Sequence, residues 1–157
     1  EQSEWICKSA ENYWTWTLLA HDQGGWTSAA IAAATGFDAR KTARALIELV
    51  SLGLIEKHPD AKYSSPHAGK VFQHPDTRLF PVGIEALRGY REAMAKARGE
   101  DLMRYFFFSR GAESELRQYF DYLIKSVQGA EVVSSPKKGE DTIFFEVETR
   151  VRKVLPF

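Results

Sequence analysis

Arg40, Lys41 and Arg44 crowd together just after Asp38, an acid of the kind that caps a helix. Cations on the first turns of a helix can reach phosphate oxygens, and a guanidinium can also grip a guanine edge through two acceptors at once. A second group, His58, His67 and His74 with Asp60 and Asp76, contains the residue types that ligate zinc. Its spacing fits no compact metal motif, and Pro and Ser dominate between its members, so no metal is expected. No Gly-rich phosphate loop, no H-E-x-x-H and no nucleophile elbow occurs, so the chain reads as a binding protein rather than an enzyme, with no catalytic residue and no cofactor. Cys7 is the single cysteine. It excludes an intrachain disulfide and a multi-cysteine zinc site, and its aromatic surroundings fit a packing role.

Bulk charge does not supply a partner, because 21 Lys and Arg balance 21 Asp and Glu. Attraction to an anionic polymer must therefore come from placement. Between residues 26 and 80, seven Lys and Arg stand against five acids, a net of +2. That is modest for an independent DNA binder, and pairing of two copies would double the phosphate contacts. The 157 residues, 44% of them hydrophobic, suffice for one cored domain or for a small module with an appended subdomain. No apolar run approaches the roughly 20 residues of a bilayer span, and no signal-peptide pattern appears. The expectation is a cytoplasmic protein with no membrane partner, nucleoid-associated if bacterial.

The elements that must position the cations can be read from breakers and periodicity. Residues 3 to 21 contain no Gly or Pro and predict one helix with Ser3 as N-cap, covered on more than one side because Trp5, Trp16 and Leu19 lie off the face of Ile6, Ala10, Tyr13, Trp14 and Thr17. Thr27 and Ser28 can start a short helix that Gly36 ends, and Asp38 can cap a second helix to about Leu52. There Thr42, Ala45, Leu46, Leu49 and Leu52 form the inward stripe. Ile47 and Val50 extend an apolar strip that either the Trp-rich first helix or a partner subunit must cover. Gly53 fits a left-handed C-cap, 54 to 58 a strand, 59 to 76 a long hairpin loop, and 78 to 80 the returning strand. Pro81 opens an amphipathic helix closed by Gly99. Beyond it, 102 to 109 favours a buried strand, with a helix as the alternative because short apolar runs fit both, 112 to 127 a helix, and 130 to 134 and 142 to 155 a hairpin. In that hairpin, Ile143, Phe145, Val147 and Val151 share one face.

The segment TSAAIAAATGFDARKTARALIELVSLGLIEK, residues 27 to 57, with RLFPVGIEAL, residues 78 to 87, resembles the winged helix-turn-helix family. The second stretch is similar to the junction after the wing in MarR-like and PadR-like regulators, with Phe80 where a Thr is usual. The resemblance covers residues 4 to 99. It implies double-stranded DNA as partner, with Ala39 to Arg44 in the major groove and the 59 to 76 hairpin along a neighbouring groove or the backbone. The implied DNA-binding residues are Thr27, Ser28, Asp38, Ala39, Arg40, Lys41 and Arg44 in the helical pair, and Lys62, Tyr63, Ser64, Ser65 and Lys70 in the hairpin.

The chain as a whole is expected to be α+β: a winged helix-turn-helix domain over 1–99, then a small strand-helix-hairpin subdomain over 100–157 for dimerisation or sensing. The function that follows is a sequence-specific, homodimeric transcriptional regulator, open to a small-molecule or protein effector. A different class fits the same residues: a replication or partition accessory factor, or a scaffold, whose winged helix contacts protein while Arg40, Lys41 and Arg44 are a solvated face.

Overall fold

Ser9 breaks the first helix in two. Its hydroxyl accepts from the backbone N–H of Asn12, while the Asn12 amide reaches back to the Trp5 carbonyl. A local side-chain bond of this kind competes with continued helix. The computed structural model, which describes residues 2–68, 81–101, 112–129, 140 and 143–147, accordingly has α1 (Gln2–Cys7) and α2 (Ala10–His21) where one helix was expected. Asp22 then turns the chain: its carboxylate accepts from Gly24 N–H and from the Trp26 indole. Trp26–Thr27 forms β1, a strand the sequence reading did not anticipate.

Thr27 caps α3 (Ser28–Thr35) by accepting from Ala30 N–H, and Gly36 ends it at φ 76°, a left-handed conformation that glycine adopts without a Cβ penalty. Asp38 caps α4 (Ala39–Ser51) through both Arg40 N–H and Lys41 N–H. Gly53, at φ 66°, carries the chain out of α4.

The hairpin is much tighter than the expected long loop. After β2 (Glu56–Lys57) the chain reverses over His58–Ala61 and returns at once as β3 (Lys62–Ser64). Three contacts close the turn: His58 N–H to Lys62 O, Ala61 N–H to His58 O, and the Asp60 carboxylate accepting from Lys62 N–H. Pro59 and Asp60 suit such a reversal. Residues 78–80, expected as the returning strand, lie outside the described residues. The antiparallel sheet has the order β1-β3-β2, with Trp26 opposite Tyr63 and Lys57 opposite Tyr63 on its other side.

Leu18 and Leu19 of α2, Ile31 of α3, Leu46 and Leu49 of α4, and Leu54 and Ile55 make the core, with Trp5, Ile6, Trp16, Trp26 and Tyr63 packed against it. The inward stripe expected for α4 is thus the observed one for Thr42, Ala45, Leu46 and Leu49. α2 is covered on several sides, and Leu19, read as off-face, is fully buried. α5 (Pro81–Arg98) packs on α1 and α2: the Trp14 indole donates to Tyr90 O, and the Tyr90 hydroxyl donates to Cys7 O. These contacts use the aromatic surface of the first helices within the chain.

The chain divides near Asp101 into two units. In the second, α6 (Glu113–Gly129) forms as the 3.6-residue periodicity predicts. Residues 143–147, expected in a strand, form no helix or strand among the described residues, and Ile143, Phe144, Phe145 and Val147 are exposed. The strands expected at 102–109 and 130–134 fall outside the described residues. Helix and a small antiparallel sheet together make an α+β protein, and no helix among the described residues is long and apolar enough to cross a membrane.

Candidate nucleic-acid interface

On α4 the core claims one side, which leaves Arg40, Arg44, Ile47 and Ser51 along the outer face at helical spacing. Arg40 is exposed and has no ion-pair partner among the described residues. Lys41 is bound by Glu11 of α2, Nζ to Oε1 at 2.8 Å, although 67% of its side chain remains exposed. Arg44, 80% exposed, donates through Nε to Glu48 Oε1 at 2.9 Å. The other Glu48 oxygen accepts from the Trp5 indole at 2.6 Å. Lys41's hydrogen bond holds the Glu11 carboxyl below its ordinary range. The Trp5 indole, then Arg44, does the same for Glu48.

Asp38 itself occupies the start of this helix. Its Oδ1 accepts from Arg40 N–H at 2.9 Å and from Lys41 N–H at 3.1 Å, so the amides that might have bound phosphate at this helix start are already engaged by an anion. Ala39 beside it is exposed, but contributes no polar group beyond its backbone. The cationic side chains, not the helix end, are what this face offers an anion.

In the hairpin, Lys62 points its ammonium to Asp60 at 3.3 Å, and Lys57 Nζ stands 5.9 Å over the Tyr63 ring. Register places Lys62 opposite Thr27, so this strand lies beside the start of α3, where Thr27 and Ser28 are half-buried. A shallow dent of about 320 Å³ there is lined by Asp22, Gly24, Trp26, Thr27, Ala30 and Lys62. Ser64 Oγ lies 2.6 Å from His58 Nε2. Ser65 is buried at 6% exposure; its hydroxyl donates to Leu54 O and accepts from His67 N–H, a structural task that leaves no surface for a ligand. Lys70, His74 and Asp76 lie outside the described residues. Among the described residues no three His, Cys, Asp or Glu side chains converge as a metal site would require.

Sequence reasoning placed the α4 cations and their cap, and the i,i+4 spacing of Arg44 and Glu48 was there to be read. It missed Glu11 as the partner of Lys41 and Trp5 as the partner of Glu48, since both come from helices whose packing had no local signal. It also missed Arg98, whose guanidinium donates to Ala33 O and Ala34 O at the end of α3. The question posed by Ile47 is answered in part: α1 does not cover it, and it is 68% exposed. No family model, curated protein or solved structure matches the chain.

Proposed function

We propose that residues 2–101 are a winged helix domain that binds double-stranded DNA, with α4 in the major groove and the β2–β3 hairpin as a short wing against the backbone. The observation that carries this reading is the order of elements around the cations. A strand precedes α3, two helices meet at the Gly36 turn, and a hairpin pairs back onto that first strand. Arg40 and Arg44 stand exposed on the outer face of the second helix. In this reading the protein is a homodimeric transcriptional regulator, because a single weakly charged face needs a second copy for useful affinity. A protein-contacting scaffold is the second reading. What favours it is that Lys41 and Arg44 already have carboxylate partners, which leaves the face close to neutral.

Binding to random genomic fragments at two salt concentrations tests the proposal, since a phosphate interface loses affinity steeply with salt. Arg40→Ala and Arg44→Ala should each weaken the selected site by about 1 to 3 kcal/mol if the lost contact is bidentate to a base. Lys62→Ala should weaken all sequences about equally. Unchanged affinity in both arginine variants and in their double variant rejects DNA reading by α4.

A further inference from the structure

The outer face of α4 carries two groups of different chemistry that adjoin at Ile47. Arg40 and Arg44 make one, and Ala43, Ile47 and Val50, at i, i+4 and i+7, make the other. Ile47 is 68% and Val50 38% exposed. The core side of this helix is already filled by Thr42, Ala45, Leu46 and Leu49, so Ile47 is not a displaced core residue. Whatever seats here must offer anionic oxygens and small apolar groups together, within reach of a single convex helix.

Three aliphatic side chains, one of them alanine, fall far short of the roughly 800 Å² that each partner buries in a stable protein interface. The major groove of DNA asks for less. It presents phosphates at its rims and, on its floor, the thymine C5 methyl, which apolar side chains contact in direct readout. We infer that Ile47, flanked by Ala43, is a specificity-determining residue that reads thymine methyl groups next to the bases or phosphates held by Arg40 and Arg44. This rests on the DNA-binding reading above and adds the base class that it prefers.

The test separates the two. Duplexes of about 20 base pairs, long enough for two half-sites, are selected from a random pool by the full chain, and the selected duplex is remade with deoxyuridine for thymidine. That exchange removes only the methyl and keeps every hydrogen-bonding group. The wild-type protein should bind the uracil duplex about threefold to tenfold more weakly, the scale of one or two lost methyl contacts. Ile47→Ala, a change at an exposed position, should bind the two duplexes within about twofold of each other. Equal wild-type affinity for both duplexes, or undiminished discrimination by Ile47→Ala, overturns thymine reading and leaves DNA binding standing. If no duplex is retained, and an acidic amphipathic helical peptide shifts the α4 amide resonances instead, both readings fall and the face belongs to a protein.

Discussion

Glu48 serves two neighbours at once, and its protonation is therefore felt on two helices. One oxygen takes the Trp5 indole of α1 and the other takes Arg44 of α4. These bonds favour the charged carboxylate and lower its pKa. A lowered carboxylate pKa contributes stability that is present above the ordinary carboxylate range and is lost as pH falls through the folded value. Because the group is solvent-accessible, the effect is local rather than a large share of global stability. Glu11 and Asp60 are lowered as well, so a melting curve would mix all three. The Trp5 indole N–H resonance isolates the event: it should move as pH drops below the ordinary carboxylate range, and Glu48→Gln should abolish that movement. An indole signal indifferent to pH in that window would show that the bond does not persist in solution.

At the scale of elements, the turn between α3 and α4 is a constrained joint. Gly36 is at φ 76°, and a Cβ built there would meet the Arg98 guanidinium. Gly36→Ala should cost about 1 to 2 kcal/mol for the left-handed backbone alone. Displacement of Arg98 from the Ala33 and Ala34 carbonyls should add to it. Chemical denaturation measures the loss, and a variant as stable as the parent would mean that the turn relaxes out of this conformation. Gly36 was legible because a helix end dictates its residue type locally, and the same holds for the Asp38 cap, the α4 stripe and α5 behind Pro81. The break at Ser9 was hidden, because a serine in a Gly- and Pro-free run competes with helix only once Asn12 and Trp5 answer it. The short hairpin was hidden for a related reason. Pro59, Pro66 and Pro75 signal a loop, but the reversal at His58–Ala61 is fixed by Asp60 and by cross-strand partners that composition does not reveal. Long-range partners of the site, Glu11 for Lys41 and Trp5 for Glu48, belong to tertiary packing. No spacing rule reaches across 30 or 43 residues.

For the whole molecule, zero net charge and a nearly neutral α4 face limit what one copy can do. Light scattering at micromolar concentration should give twice the chain mass of 17.8 kDa, as two half-site contacts require. A clean monomer with and without DNA would remove the dimeric regulator. The aromatic surface of the first helices is used in part within the chain, where the Trp14 indole donates to the Tyr90 carbonyl and the Tyr90 hydroxyl to that of Cys7. The exposed Leu116, Tyr119, Tyr122 and Ile124 of α6 are apolar surface of the other unit. Arg98 has a consequence in time as well as in energy. It closes the end of α3 from 64 and 65 residues down the chain. Contacts so distant in sequence form after local ones, because the intervening loop must be closed first. During synthesis, α3 and α4 can therefore coil as soon as they emerge, yet the joint between them stays unfinished until the last turn of α5 has been made. Here an early helix end is completed by a residue made much later.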